Sequence, residues 1–572
     1  MSRKMLSHSL VLVSMLAGCL VGPEDDAPVD RSEERAPASD AARPEAPATP
    51  VAAAEPGAMV WRESPPERPV DDESPARFRL AAPAGPEPAP TPAETTRFSS
   101  AADPRGLDTL VAPGAQELVS TFTAANEYHD RFGYSLAVGD FNNDNLDDLA
   151  IGAPFEDYGA ESTGLVFLFK GTSSGLTPWA LISQIGSNEA FDRFGWALTT
   201  GDFNGDGIDD LAASALNEGP GGDPNAGTVF IYTGGTGGLT DWVYYHQESP
   251  GPGTNEDRDL FGYALSSGDY NGDGWDDLAV GAPGEARNGE RQGVVYVLGG
   301  GTMGMSFMGE VNQGALSVGH IDERFGSALA SGDFFGTPAD ELVVGAYNDL
   351  IDDWRAGSIF VYQGSVSGPT PWGRLDEWTL EENDDDFGRA LAVGDFDGDN
   401  RDDLAVGAPG ENRDTGIVFL YRGTGTTLSP WDTLARVGAQ PGDRFGAALA
   451  AGRIDSDSKH DLIVGSPRAY PSGSFERAGV ANAYFGHATS MVAYLTEMKQ
   501  SAFTGGTNLT NENFGLTAAI GRFRNTTYGD VAIAAPDDGL SGLIRVGSVY
   551  VYKGTGVSPS FTFSTSQRLV QN

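Results

Sequence analysis

The chain has one cysteine in 572 residues, Cys19, so no disulfide can brace it. Helical periodicity is nearly absent, and there is no long apolar run of bilayer-spanning length. The apolar stretch Met5 to Ala17 is too short to cross a membrane and follows the basic Arg3-Lys4, as in an export signal. Basic residues are scarce. With 36 Lys and Arg against 81 Asp and Glu, the formal charge is −45, which disfavours nucleic acid and anionic lipid as partners. Beyond the signal only the histidines at 129, 246, 320, 460 and 487 remain, with no zinc-ligand spacing and no phosphate loop in view. Something other than disulfides has to hold an exported chain of this kind together.

Leu16-Ala17-Gly18-Cys19 resembles the lipobox of bacterial lipoproteins. The resemblance implies cleavage before Cys19, a lipid on its thiol, and anchoring at a bacterial cell surface. Leu20 in the next position is compatible with the outer membrane. Residues 1–18 are then the signal peptide, and 19–112 form an acidic Pro/Ala-rich linker. About half of the 35 prolines fall there with no apolar pattern to bury, so a disordered, semi-rigid stalk is expected.

Residues 113–572 are rich in Gly, Asp, aromatic and β-branched residues, and they repeat. Phe-Gly recurs at 132, 194, 261, 325, 387, 445 and 514, at intervals of roughly 58 to 69 residues. Blade one reads RFGYSLAVGDFNNDNLDDLAIGAP and blade five DFGRALAVGDFDGDNRDDLAVGAP. Each unit divides into four short runs separated by turn residues, the pattern of antiparallel strands. The first two runs carry Ala and Gly and the outer two Val, Phe, Tyr and Trp. That gradient fits a propeller, whose inner strands crowd a channel while outer strands fill a widening wedge. The expected fold is therefore all-β, a seven-bladed β-propeller of four-stranded antiparallel blades. Glu117-Leu-Val-Ser-Thr-Phe and Ser560-Phe-Thr-Phe-Ser each look like a latching fourth strand, and the sequence leaves the choice open.

The order Phe-Gly, acidic loop, Gly-Ala-Pro resembles the FG-GAP repeat family, known from the heads of integrin α subunits. Gly-Ala-Pro is intact at 152, 281 and 407 and drifts elsewhere to Ser-Ala-Leu, Gly-Ala-Tyr, Gly-Ser-Pro and Ala-Ala-Pro. The resemblance implies calcium loops on one face of the ring and ligand binding on the other.

The acidic loops are not EF-hands: the twelfth residues, Ile151, Ala213, Val280 and Val406, lie in apolar strands where a bidentate acid is required. Near-identical acid sets in several blades also argue against a catalytic dyad. A metal-free turn needs no acids at positions one, three, five and nine, which would repel one another; a hard dication with oxygen ligands removes that repulsion. Four loops are intact, giving about four expected Ca2+ sites. Blade one offers Asp140, Asn142, Asp144 and Asp148 around the Leu146 carbonyl, and blade two Asp202, Asn204, Asp206 and Asp210 around Ile208. Blade three offers Asp269, Asn271, Asp273 and Asp277 around Trp275, and blade five Asp395, Asp397, Asp399 and Asp403 around Arg401. Blade six starts with Arg453 and keeps Asp455, Asp457 and Asp461, a weakened set. Blade four has Phe335 and Thr337 at ligand positions, and blade seven Arg522, Arg524 and Thr526, so an arginine is expected to replace the cation in blades six and seven.

Asp-Arg-Phe-Gly and its variants read as structure: Phe plugging between blades, Gly for close approach, Arg pairing with an acid. Trp179, Trp242, Trp372 and Trp431 share one repeat position and are assigned to wedge packing. Gly171-Thr-Ser173-Ser-Gly175 matches a nucleophile motif but lies in a hairpin, not a strand-to-helix elbow. The connections between second and third strands differ in every blade, and on them Tyr158, Trp354, Arg355, Arg468, Tyr470 and Phe475 are candidate contact residues. The expected function is non-enzymatic: a monomeric, calcium-stabilised surface lipoprotein that binds a protein or glycan. The alternatives are a purely structural envelope component and, less well supported, an enzyme acting at the propeller mouth.

Overall fold

The structure, a computed structural model, describes residues 116–119 and 129–571, apart from short segments at 187–188, 220–224, 249–254, 288–289, 317–322, 352–353, 378–383, 473, 475, 494–496, 504–510, 540–544 and 556–561. The signal peptide, Cys19, the linker and Phe475 lie outside the described residues.

Seven antiparallel sheets follow one another along the chain, each ordered first to fourth strand. Blade one comprises Ser135–Gly139, Asp148–Ala153, Leu165–Lys170 and Thr177–Ile182. Blade five comprises Ala390–Gly394, Asp403–Ala408, Ile417–Gly423 and Leu428–Leu434. The first strands of neighbouring blades touch all the way round, and that of blade seven (Thr517–Gly521) touches that of blade one, closing the ring. Burial follows the residue gradient. Second strands such as Asp148–Ala153 are wholly buried, whereas fourth strands such as Thr177–Ile182 are only half-buried. Among the described residues helix is confined to single short turns, and no helix is long and apolar enough to cross a membrane.

Both chain ends close the ring. Thr562–Val570 is the fourth strand of blade seven, and Gln116–Val119 adds to its outer edge in parallel, making a five-stranded sheet. Two amides tie this sheet to blade one. Gln567 Oε1 accepts from Leu176 N at 3.0 Å while its Nε2 donates to Leu176 O at 2.9 Å. Gln571 Nε2 donates to Asp130 at 3.2 Å and also to Glu156.

The repeat signature marks the joint between blades. The backbone N–H of Phe132 donates to Val546 O of blade seven at 2.9 Å, and Phe194, Phe261, Phe387, Phe445 and Phe514 make the equivalent bond to the preceding blade. Each Phe-Gly ring is buried and meets an aromatic of its own third strand edge-on, as Phe132 meets Phe167 at 5.1 Å. The glycine after it has positive φ in all seven blades, from 84° to 93°. Its carbonyl lies against the Gly-Ala-Pro glycine of the preceding blade: a Cβ on Gly152, Gly281, Gly345, Gly407 or Gly465 would sit 2.0–2.2 Å from it. Only hydrogen fits there. Blades two and seven, with Ser214 and Ala534 at this position, are the two departures.

A second buried element recurs beside several joints. There the acid two residues before Phe-Gly meets a hydrogen-bond donor from the end of a fourth strand, in blades two and three together with an acid from a second-to-third-strand connection. Gln184 donates to Asp192 at 2.7 Å and to Glu218 at 3.1 Å, Gln247 donates to Glu285 at 2.6 Å, and Arg436 donates to Asp443 at 2.9 Å. Between blades four and five the donor is replaced by Glu377, which brings a third buried carboxyl within 4.8 Å of Asp385 and Glu411.

Two substitutions test these joints. Gly407→Ala should destabilise the propeller by about 3 kcal/mol, since backbone must move to admit the methyl, and urea unfolding measures this. Glu377→Gln restores the amide of the sister blades and should stabilise by about 1 kcal/mol or more at pH 7, because crowded buried carboxyls ionise at a cost.

Candidate metal centres

Each acidic loop is the turn between the first and second strands, so all seven lie at one end of the blades. The first aspartate builds the turn by accepting backbone N–H groups. Asp202 accepts from Asp206 at 3.0 Å and Gly207 at 2.8 Å; Asp269 accepts from Gly272, Asp273 and Gly274 at 2.7–3.0 Å. Asp140 and Asp395 do the same. The fifth-position acids Asp144, Asp206, Asp273 and Asp399 accept from the backbone of Leu146, Ile208, Trp275 and Arg401 at 2.9–3.0 Å. The sixth position is left-handed in all four loops, which explains glycine in blades two and three and asparagine in one and five (Asn145 φ 64°, Asn400 φ 65°).

The ninth position is acidic and buried in all seven blades: Asp148, Asp210, Asp277, Glu341, Asp403, Asp461 and Asp530. Most of these carboxylates reach the turn after the third strand, accepting from Gly171, Gly234, Gly300, Gly423 and Gly486 at 2.8–3.0 Å. Burial first, and neighbouring acids after it, push Asp148 and Asp277 up to about 7 and Asp210 and Asp403 to about 8. A cation of charge two would reverse that penalty. In blade five, ligand oxygens of Asp395, Asp397 and Asp403 lie within 4.8 Å of one another, and in blade three Asp277 Oδ2 is buried without a hydrogen-bond partner. These donor sets fit a hard dication.

The seven loops are not equivalent. In blade one Lys170, from the end of the third strand, reaches Asp144 at 2.9 Å and Asn142 at 3.0 Å, two of the four side-chain ligands. In blade five Arg422, at the same repeat position, reaches Asp397 at 2.7 Å, and Arg401 reaches Asp399 at 3.1 Å. The corresponding residues in blades two and three are Thr233 and Gly299, so those cages hold no third-strand cation. The signal was a basic residue closing the third strand, which reasoning from the loops alone passed over. In blade seven Arg524 pairs with Asp530, at 2.9 Å through Nε, as expected of a cation substitute. Blade six differs from expectation: Lys459, not Arg453, pairs with Asp457, at 3.0 Å. Asp455 and Asp461 are joined through the Asp455 backbone N–H, at 3.3 Å. Blade four closes its loop without a cation, Glu341 accepting from Phe334 and Phe335 at 3.0 and 3.2 Å.

The acid at position eight has a separate task. Asp209 accepts from Asp140 N at 2.7 Å, Asp276 from Asp202 N at 2.8 Å, Asp340 from Asp269 N at 3.0 Å and Asp402 from Asp333 N at 3.1 Å. Each grips the loop of the preceding blade. Asp147 grips Arg522 N at 2.6 Å, which carries this belt across the ring closure. Between blades five and six, His460 Nδ1 accepts from Asp395 N at 3.1 Å; burial and Arg453 lower its pKa to about 4, keeping the ring neutral for that role. The Asp-Asp pairs in the sequence thus divide their work, one acid facing a neighbour and one facing its own loop.

At the opposite end lie the connections between second and third strands. Tyr158, Trp354 and Tyr470 are exposed there, and Trp354 and Arg355 form one strand of a two-stranded hairpin with Leu350–Ile351. Arg468 is exposed close to Arg444, Arg477 and Arg389, and Arg477 stacks over Tyr470 at 5.2 Å. Phe191, before an Asp-Arg-Phe-Gly, is a further exposed aromatic at this end.

Fold and site together define a closed β-propeller whose blades are tandem repeats with an acidic loop. The FG-GAP repeat model matches residues 132–169, 194–232, 261–298 and 387–421, so the chain carries FG-GAP repeats on an integrin α-like propeller. It is 33% identical over 242 residues to integrin alpha-PS2 of Drosophila melanogaster, covering 41% of this chain and 16% of that one. To integrin alpha-5 of Xenopus laevis it is 30% identical over 243 residues, 40% of this chain and 21% of the relative. To the phosphatidylinositol-glycan-specific phospholipase D of Rattus norvegicus it is 34% identical over 175 residues, 29% of this chain and 20% of that protein. The match thus spans about a fifth or less of each relative's length.

The raised carboxyls give a pH dependence of definite sign. Asp209, Asp340 and Asp402 stand at about 6, 7 and 7, chiefly through burial. A carboxyl that holds its proton more tightly folded than unfolded stabilises fully below the ordinary carboxylate range, and that stabilisation is lost as pH rises through the folded pKa. In chelator, the melting temperature should therefore fall by several degrees between about pH 5 and pH 8, and calcium should flatten the trend.

Proposed function

We propose that this chain is a non-enzymatic, calcium-stabilised binding propeller, held at a bacterial cell surface through lipid on Cys19, with a protein or glycan ligand at the variable-loop end. The observation that carries this reading is the segregation of the two ends. One end repeats the same acid geometry blade after blade, and the other presents unlike connections with exposed Tyr158, Trp354, Tyr470 and Phe191 on a rigid ring.

Calcium is assigned to the four loops with the complete donor set, with blades two and three binding best because no side-chain cation among the described residues enters their cages. The metal would be held by the carboxylates, the amide oxygens and the carbonyl at position seven, and its contribution is neutralisation and bracing of the turn. The non-enzymatic reading is supported by how the acids are used: they accept backbone N–H groups and fix turns. Similarity of the same repeats both to integrin α chains and to a protein named as a phospholipase fits a scaffold whose function is set by what is attached to it.

Chelation should lower the melting temperature by several degrees, and Asp273→Ala should remove one calcium equivalent in calorimetric titration while leaving the other loops occupied. A calcium-dependent pull-down from the native cell surface tests the ligand. Retention abolished jointly by Trp354→Ala and Tyr470→Ala is the expected result, and the absence of any retained component would favour a structural envelope role.

A further inference from the structure

The Asp-Arg-Phe-Gly arginines are not satisfied alike. Arg131 pairs with Asp537 at 3.2 Å, an acid that follows Ala-Ala-Pro in blade seven. Arg444 pairs with Asp414 at 3.0 Å. Arg193 is the counterpart of Arg131 one blade on, and the residue occupying the place of Asp537 is Phe155. A ring stands where the sister joint has a carboxylate. The Arg193 guanidinium lies 5.0 Å from the Phe155 ring centre and 5.9 Å from that of Trp196, and among the described residues its side chain has no ion pair. Its Nε–H is buried with no acceptor.

A second donor in the same place is equally unmatched. The Trp196 side chain is 4% exposed and its Nε1–H has no hydrogen-bond partner among the described residues. Tyr134 at 4.8 Å, Tyr263 at 6.0 Å and Phe155 at 6.4 Å from the Trp196 ring complete an aromatic wall. A buried donor without an acceptor is destabilising, more so when it is charged. Two such donors on neighbouring side chains call for something that only accepts.

We infer that the Arg193–Trp196 site between blades one and two receives the carboxylate of an acidic side chain from a protein partner, which takes the place that Asp537 takes beside Arg131. One unpaired guanidinium matches a monoanion and not a phosphate dianion, and the indole N–H supplies the second bond to a two-oxygen acceptor. The protein source follows from the rim. Tyr158 and Phe191, each 48% exposed, lie three residues after Phe155 and two before Arg193 in the sequence. Aromatic anchors beside a buried arginine are the composition of a protein interface centre.

This inference names a subsite of the binding end proposed above and rests on that reading. Saturation-transfer NMR on the full calcium-loaded chain tests it, with the probes Ac-Ala-Ala-Glu-Ala-Ala-NH2, its Gln counterpart and digalacturonate. Transfer to the Glu peptide alone is expected, with binding about tenfold weaker in Arg193→Gln. Phe155→Asp should also abolish it, by giving Arg193 an internal partner as in blade seven. Unchanged melting curves show that both variants fold. No transfer to the Glu peptide, as when ordered water satisfies both donors, overturns the proposal. So does transfer indifferent to Arg193→Gln, and transfer to digalacturonate in place of the peptide, which would assign the site to an acidic glycan. A surface ligand lost with Trp354→Ala but indifferent to Arg193→Gln would overturn the subsite and leave the binding function standing.

Discussion

Backbone meets backbone at five of the seven joints of this ring, and the rest of the structure depends on that approach. There the carbonyl of the Phe-Gly glycine fills the space a side chain would need on the Gly-Ala-Pro glycine of the preceding blade, most tightly at Gly281 and Gly465. Sheets set so close can bury both faces against their neighbours, and a closed circle of such contacts leaves few unpaired edges. A chain with one cysteine has no cross-link to fall back on, so cohesion is distributed over seven joints and a parallel strand from the opposite terminus.

Electrostatics then becomes the problem to be solved, because the same geometry brings acidic turns together around one end. The solution is a division of labour between adjacent residues. The position-eight acid accepts a backbone N–H from the next turn round, and the position-nine acid accepts from its own third strand. Both accept backbone N–H groups of the chain itself. This explains why blades four, six and seven keep an acid at position nine after losing other ligands: Glu341, Asp461 and Asp530 still have backbone or arginine partners to satisfy. Where the loop has drifted, a tethered cation from the chain takes over part of the neutralisation, as Arg524 does in blade seven.

The end bearing the variable connections follows the opposite logic. Its backbone frame repeats, but the side chains placed on that frame do not. The position that carries Asp537 in blade seven carries Phe155 in blade one and Arg468 in blade six, so one scaffold site yields an ion pair, a ring contact and a member of an arginine group. Function on such a scaffold is written in departures from the repeat.

The sequence by itself determined the number of blades, their strand order, the acidic turns and the small-to-bulky gradient outward. These are periodic features, and a residue pattern that recurs seven times reports a local geometry that recurs seven times. It also separated intact loops from worn ones, since ligand spacing within a turn is local. Only the tertiary structure decided what lies between units. Lys170 and Arg422 reach their loops from strands some 28 and 25 residues away (from Asn142 and Asp397), Asp147 answers Arg522 across the ring closure, and Gln567 meets Leu176 from the other end of the chain. Both termini, and not one, close the last blade. Such pairings depend on which blade a side chain faces after closure, a relation between distant residues that no spacing along the chain encodes.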